Sequence, residues 1–484
     1  MKQLRFIALV VVVLNVAVIA WLLLRQPVDT DGGLADVGEA LVADETLEAA
    51  RYNLEDRADD LNIILISMDA LRYDRTGLSG TSLTPNLDKL AAESVVFHDA
   101  VSAAPWTLPS HMAVWTGRWP SIHQVTNKLK PMAGGGWADA ALSPGIATFP
   151  DELVQAGWKA AGFTGGAGVS GRFGFNKGFE TYLDDRAFAG LDYSMPAALK
   201  WLEDNRGERF FLFLHGYDAH GQYPLAESSL NSIPYDGTLD GSIEEQAKLR
   251  EQGLETIDDP GEAPDLTGEL SPEDAEYLKA VYDLKIRDAD QRLGTFISRL
   301  KTMGLYDKSL IVVMSDHGDE FLEHKGLDHG ISLYQEQLHV ITLMHFPGYT
   351  QRQDIQQTTR TLDIFPTIFD ALGLESPSGI DGTSLLPLLR GGSHDAGVYS
   401  ETDYRLYVNH RMIRDGSYKL ILDLQDGKRE LYDLSVDPGE LKDISSSEPR
   451  RTYEMEQSLR SWINTTRVNP QDYLGTDQDK IGIF

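Results

Sequence analysis

The hydrophobic positions of this chain fall into distinct kinds of run. Residues 6–24, FIALVVVVLNVAVIAWLLL, are apolar save for Asn15, long enough to cross a bilayer as a helix. Short continuous runs at 63–66, 158–163, 210–214, 310–314 and 340–344 have the pattern of strands buried on both faces. Helical patterns separate them. Ser271-Pro272-Glu273-Asp274 is a capping box with Pro at the first helical position, and Leu278, Val281, Tyr282, Ile286, Ala289, Leu293, Phe296, Ile297 and Leu300 then mark one helical face. This alternation predicts a large, mostly parallel central sheet flanked by helices, an α/β fold. After about Gly373 the pattern changes: residues 408–414, 418–422 and 430–434 read as short strands separated by Gly turns, predicting a small antiparallel sheet packed on the main domain.

The polar stretches divide the chain. Lys2 and Arg5 precede the first apolar run, whereas the residues after Arg25 are dominated by Asp and Glu, so the positive-inside rule places the body outside the cytoplasm, periplasmic or extracellular. A cleaved signal peptide is the competing reading. The length of the run and the lack of a small-residue cleavage pattern favour an uncleaved anchor. Residues 1–25 are thus the expected membrane anchor, 26–60 an acidic spacer turning helical near 45–57, 61–373 the catalytic domain and 374–484 a C-terminal subdomain. Residues 224–270 have little periodicity and read as a surface insertion near the site rim or a flexible loop.

Composition narrows the function classes. A net charge of −31 argues against nucleic acid as a partner. The chain has no Cys, which excludes disulfides, thiol catalysis and Cys-derived formylglycine.

The candidate chemistry lies at predicted strand ends and one helix start. In Trp106-Thr107-Leu108-Pro109-Ser110-His111, Pro109 suits a first helical turn, and the free N–H groups there favour an anion beside the hydroxyl of Thr107. Asp69 ends the first strand and Asp316-His317 follows another; each alone suits a turn, but together with Thr107 they could surround one divalent metal that lowers the hydroxyl pKa. His215, Asp218 and His220 cluster after a third strand. His220 is a candidate to protonate a leaving oxygen, and Asp218, His220 and His329 form a possible second metal set. His111 is a candidate catalytic group one turn beyond Thr107. His329, His215 and Arg172 are candidate substrate contacts, and His324 is expected at the solvent-exposed surface.

Taken in order, these pieces resemble the sulfatase branch of the alkaline phosphatase superfamily. The likeness runs from Asn62-Ile-Ile-Leu-Ile-Ser-Met-Asp69, through Thr107…Thr116-Gly117-Arg118 and His215 to His220, to Ser315-Asp316-His317-Gly318, Asp381-Gly382 and Glu430-Leu-Tyr-Asp433. It implies an alkaline-phosphatase-like sandwich and a metal, Mn, Zn, Ca or Mg, held by Asp69, Asp316 and His317, with Thr107 as ligand and nucleophile. His220 matches a family histidine that contacts the transferred group. The chain departs from the pattern at Ala70, where a second Asp is usual, at Thr107 for Cys or Ser, at His111 for Arg, at His317 for Asn, and at His329 near a customary Lys.

Threonine cannot yield formylglycine, because its methyl-bearing carbon would give a ketone. Superfamily members with a Thr nucleophile act on phosphoesters or transfer phosphoryl-linked head groups. The expectation is therefore a hydrolase or transferase of an anionic ester, phosphoester favoured, on a lipid head group or glycan. The alternatives are a sulfuric-ester hydrolase without formylglycine, and a non-catalytic ectodomain that binds an anionic glycan or lipid.

Overall fold

The computed structural model describes residues 61–131, 136–255, 265–406 and 408–466. The expected anchor at 6–24 and the spacer lie outside the described residues. Among the described residues no helix is long and apolar enough to cross a membrane.

Eight strands form the central sheet: β1 (Asn62–Met68), β2 (Val95–Val101), β3 (Lys159–Phe163), β4 (Thr181–Leu183), β5 (Phe210–Gly216), β6 (Ser309–Met314), β7 (His339–His345) and β8 (Gln353–Arg360). Their spatial order is β8-β2-β7-β6-β1-β5-β3-β4. All pairings are parallel except those of β7, which runs against both β2 and β6. The helices longer than one turn are α1 (Pro85–Ala91), α2 (Thr107–Thr116), α3 (Phe149–Gln155), α4 (Leu191–Asn205), α5 (Ile243–Glu255), α6 (Pro272–Met303), α7 (Ile364–Ala371) and α8 (Pro449–Thr465).

Continuous apolar runs become central strands because both faces are covered. In β5, Leu212 and Leu214 join the core beneath α4 and α6, while Phe211 meets Phe149 and Phe213 meets Trp115 on the other face, at ring separations of 4.7 and 4.5 Å. Period-two side chains thus fill two cores. Helix α6 has the capping box read from its sequence, formed between Ser271 and Asp274, and its Leu278, Val281, Ile286 and Leu293 face the sheet.

The small antiparallel sheet, β9 (Val398–Thr402), β10 (His410–Asp415), β11 (Tyr418–Asp423) and β12 (Arg429–Asp433), pairs in chain order. Arg414 reaches back from it to Asp99 on β2 at 2.6 Å. One expectation needs correction: residues 224–270 are not simply a loop. They contain α5, and Leu249, Leu266 and Leu270 enter the main core. The few apolar residues of this segment are spaced too sparsely to advertise a helix, yet these three leucines are buried and Leu225, Leu230 and Ile233 pack against the same core partly exposed.

Parallel strands deliver their C-terminal ends to one sheet edge. Pairing of Met68 with Gly216 and of Ser67 with Met314 sets Asp69, the segment after His215, and Asp316 side by side.

Candidate active site

The edge is rigidly built. Ala70 has a left-handed backbone, φ 60°, which costs a residue with a Cβ about 1 kcal/mol or more. Its N–H donates to Asp316 Oδ1 at 3.1 Å, and its carbonyl accepts from the Tyr282 hydroxyl at 2.6 Å. The same hydroxyl accepts from Arg72 N–H at 2.9 Å. Tyr282 of α6 therefore fixes the turn that follows Asp69.

Thr107 is the first residue of α2, buried, with Oγ1 at 3.3 Å from His317 Nε2. His317 Nε2 lies 3.7 Å from Asp69 Oδ1 and 3.4 Å from Asp316 Oδ2. Those two carboxylate oxygens are buried and make no hydrogen bond among the described residues. A buried carboxylate oxygen without a partner is costly, so the pair calls for a cation. Ligand atoms of Asp69, Asp316 and His317 all lie within 4.8 Å of one another, and two hard oxygens with one imidazole suit a divalent ion.

The charges say the same. Burial, followed by the nearby charge of Asp316, pushes the Asp69 carboxyl well above its usual range. Burial also works on Asp316, but the imidazoles of His317 and His111 outweigh it and hold that carboxyl well below its usual range. Without an added positive charge, the two carboxylates do not ionise together.

His215 and His111 turn out to support this set from below. His215 is fully buried; its Nδ1 accepts from Gly165 N–H at 3.4 Å, which leaves Nε2–H to donate to Asp69 Oδ2 at 3.2 Å. Burial keeps that imidazole neutral, well below its ordinary pKa. His111, also fully buried, donates from Nδ1 to the Thr107 carbonyl at 2.9 Å, and Ser67 Oγ–H donates to its Nε2 at 2.8 Å. Its Nδ1 is also 3.2 Å from Asp316 Oδ2. Both histidines sit beneath the candidate ligands and orient them; His215 is not the substrate contact expected of it, while His111 holds the backbone of Thr107 one turn away.

His220 and His329 stand closer to the opening. Ring centroids of His220 and His329 are 4.9 Å apart, and those of His317 and His329 4.1 Å apart. His220 Nδ1 accepts from Gln222 N–H at 3.2 Å, and burial lowers its pKa well below the ordinary value. Burial opposes the charged form of His329 too, but Asp328 and Asp319 overcome it and raise its pKa well above the ordinary value. Its Nδ1 is 2.6 Å from Asp319 Oδ1.

Other expected residues are elsewhere. Asp218 accepts from Leu191 N–H at 2.7 Å at the start of α4 and forms an ion pair with Arg292 of α6, so it is not joined to His220 and His329. The acidic residue beside His317 and His329 is Asp319, one position past a motif that reads as ending at Gly318. Arg172 is on the surface, 3.9 Å from Asp139 and over the Phe173 ring. His324 is not at the exposed surface: it bonds Glu336 at 2.7 Å and lies stacked on Tyr334. Sequence reading also missed Lys285, a buried lysine of α6 that donates to the carbonyls of His220 and Gly221 at 3.1 and 3.0 Å. A Lys within an amphipathic helix ordinarily marks its solvated face, so nothing in its spacing pointed to this role.

The sulfatase family model matches residues 61–374. The chain belongs to the sulfatase family. A second model, described as N-sulphoglucosamine sulphohydrolase, C-terminal, matches residues 323–469 of this sulfatase-family protein. Arylsulfatase K of Rattus norvegicus is 25% identical, over 84% of this chain and 79% of its own length. The human protein of that name is 24% identical, over 84% and 83%. Among solved structures, the phosphonate monoester hydrolase of Agrobacterium radiobacter superposes with a TM-score of 0.66 at 19% identity, covering 84% of this chain and 96% of its own. A 2-O GAG sulfatase gives 0.66 at 21%, covering 86% and 94%. The sulfatase-family chain is thus an ester hydrolase, and its structure has the fold expected from its motifs.

Proposed function

We propose that the chain hydrolyses an anionic ester with unmodified Thr107 as its nucleophile. The observation that carries this reading is the placement of Thr107 Oγ1 at the first turn of α2, against His317 and beside two buried carboxylate oxygens that lack hydrogen bonds. Asp69, Asp316, His317 and Thr107 are the residues that would hold a divalent ion, which when bound supplies positive charge that lowers the hydroxyl pKa and polarises the ester. Thr107 gives its hydroxyl proton to solvent and its Oγ attacks the phosphorus or sulfur, forming a bond to it as the bond to the ester oxygen breaks; water then attacks the same centre, breaks the bond to Oγ and restores the hydroxyl. His220, neutral with Nδ1 accepting from Gln222, donates a hydrogen bond from Nε2–H to that departing oxygen, which takes its proton from solvent, and His329, held charged between two carboxylates, balances the anionic oxygens of the group in transfer. His111 and His215 hold Thr107, Asp316 and Asp69 in register throughout.

A phosphoester is the first substrate class under this proposal, since a threonine alkoxide attacks phosphorus directly and cannot form the aldehyde hydrate of formylglycine sulfatases. A sulfate ester is the second. The likeness to Arylsulfatase K supports it. Aryl phosphate mono- and diesters assayed against aryl sulfates, with Mn, Zn, Mg and Ca, separate the two. Thr107→Ala should abolish turnover and Thr107→Ser keep part of it, with a covalent adduct on the Thr107 peptide in quenched enzyme. Full activity in Thr107→Ala would overturn the nucleophile assignment. The charge asymmetry around residues 6–24 supports a body anchored outside the cytoplasm, which added protease should reach in intact cells.

A further inference from the structure

Thr107 is covered by a loop that the mechanism above does not use. Residues 164–168, which follow β3, read Thr-Gly-Gly-Ala-Gly. Gly166 and Ala167 both have left-handed backbones, φ 63° and 48°, and a Cβ on Gly166 would come within 2.7 Å of the Asp184 carbonyl. That conformation is costly for Ala167, so its surroundings impose it. Gly166 N–H donates to Thr164 Oγ1 at 3.1 Å, and the hydroxyl of Tyr217, a buried residue directly after β5, accepts from Gly168 N–H at 2.9 Å and donates to the Gly166 carbonyl at 3.2 Å.

What the loop holds in place is the bare α-carbon of Gly168. A Cβ there would lie 2.8 Å from both Cβ and Cγ2 of Thr107, well inside van der Waals contact. The Thr107 methyl is therefore packed on the Gly168 backbone, while Oγ1, on the other branch of Cβ, is 3.3 Å from His317 Nε2. Nothing within the helix sets this rotamer. Thr107 is the first residue of α2, so no helical carbonyl one turn back competes for its hydroxyl, as happens to threonines inside helices. Packing has to choose among the staggered wells, and in a close-packed interior the methyl fits only one of them.

We infer that Gly168 is a positioning residue: its bare α-carbon, bolted down by Tyr217, seats the Thr107 methyl and so directs Oγ1 toward the candidate metal ligands. The inference rests on the nucleophile reading of Thr107. Threonine, rather than serine, is the side chain that this slot fits. A serine lacks the seated methyl, so its hydroxyl swings among the rotamers and is aligned for attack only part of the time.

Two measurements on full-length, metal-loaded protein test this. In the first, threonine methyl groups are isotopically labelled for NMR, and the Thr107 signal is assigned by its loss in Thr107→Ser. The expected result is a single χ1 rotamer and a nuclear Overhauser effect between that methyl and the α-protons of Gly168. Rotamer averaging, or absence of that Overhauser effect, would overturn the inference, and neither depends on turnover.

In the second, Gly168→Ala is made both in the unsubstituted chain and in Thr107→Ser, and kcat and KM are read with p-nitrophenyl phosphate and p-nitrophenyl sulfate. In the unsubstituted chain the new methyl displaces that of Thr107, so kcat should fall about a hundredfold with KM nearly constant. In Thr107→Ser the same substitution fills the space left by the lost methyl, so kcat should change by less than about threefold. An equal loss in both backgrounds means that alanine breaks the loop whatever stands at position 107, and it overturns the inference; so does no loss in either. If Gly168→Ala fails to fold, the methyl measurement on the unsubstituted chain decides. Turnover that persists in Thr107→Ala removes the nucleophile reading and leaves the rotamer result to stand or fall by itself.

Discussion

Two clusters of acids and histidines draw on the segment 316–336, and they differ in one respect. Around Asp69, Asp316 and His317, two carboxylate oxygens have no hydrogen bond among the described residues. Around Glu320, His324 and Glu336, whose ligand atoms also lie within 4.8 Å of one another, none of the three side chains has a buried oxygen or nitrogen without a hydrogen bond, although Oε1 of the adjoining Glu440 has only the ion pair with Lys419. His324 uses Nδ1 on Glu336 at 2.7 Å and Nε2 on the Glu440 carbonyl at 3.1 Å. Glu320 accepts from Gly326 N–H at 2.7 Å and from Gln337 at 3.3 Å, and Lys419 pairs with Glu440 at 2.8 Å. Residue type and proximity are equal in the two clusters. Hydrogen-bond saturation is what distinguishes a place for a cation from a knot that joins two sheets.

That contrast breaks most sharply at Asp316. Asp316→Ala should lose the metal and reduce kcat/KM about a thousandfold, roughly 4 kcal/mol of barrier, with the fold retained by circular dichroism. Metal content measured by elemental analysis checks it, and an unchanged value would place the ion elsewhere. In the saturated cluster the expectation reverses. Lys419→Met leaves Glu440 buried without its partner and should cost about 3 kcal/mol or more of stability in denaturant unfolding, while metal content stays that of the unmodified chain.

Smaller effects sharpen the comparison. Lys285→Met removes the donor to the carbonyls of His220 and Gly221, so kcat/KM should fall about tenfold, with metal content unaltered. The smallest expected effect is a pH dependence of the knot. Burial disfavours the charged form of His324, but Glu336 prevails and raises its pKa to about 9; burial and Glu336 push Glu320 up to about 7. Both folded values exceed the unfolded ones, so the folded state binds more protons in these ranges and stability falls as pH rises through them. Melting temperature should therefore drop by a few degrees between pH 7 and pH 9.5. The drop should be blunted in His324→Gln.

The fold was legible wherever a strand is covered on both faces, because continuous apolar runs such as 63–66 and 310–314 have one stable solution. The antiparallel run of β7 was not, since a buried strand reads the same in either direction. At the site, Asp69, Thr107, Asp316 and His317 stood at recognisable strand ends and a helix start. Their supports did not: the roles of Ser67, Tyr282, Lys285 and Asp319 depend on partners far away in the chain, and Asp218, adjacent to the right residues in sequence, is turned toward Arg292.

Helix α6 contacts both loops that carry the chemistry. Tyr282 grips the turn after Asp69, Lys285 the carbonyls of His220 and Gly221, and Arg292 the carboxylate of Asp218. These contacts recur along one stiff rod, so the two loops share a single mechanical reference. A displacement of the helix is expected to move both loops together, so the distance between Asp69 and His220 should vary less than either position. Local opening is then a joint event: amide protons of the Asp69 turn and of the 217–223 segment exchange with one common opening free energy, and α6 is the element whose fraying sets it.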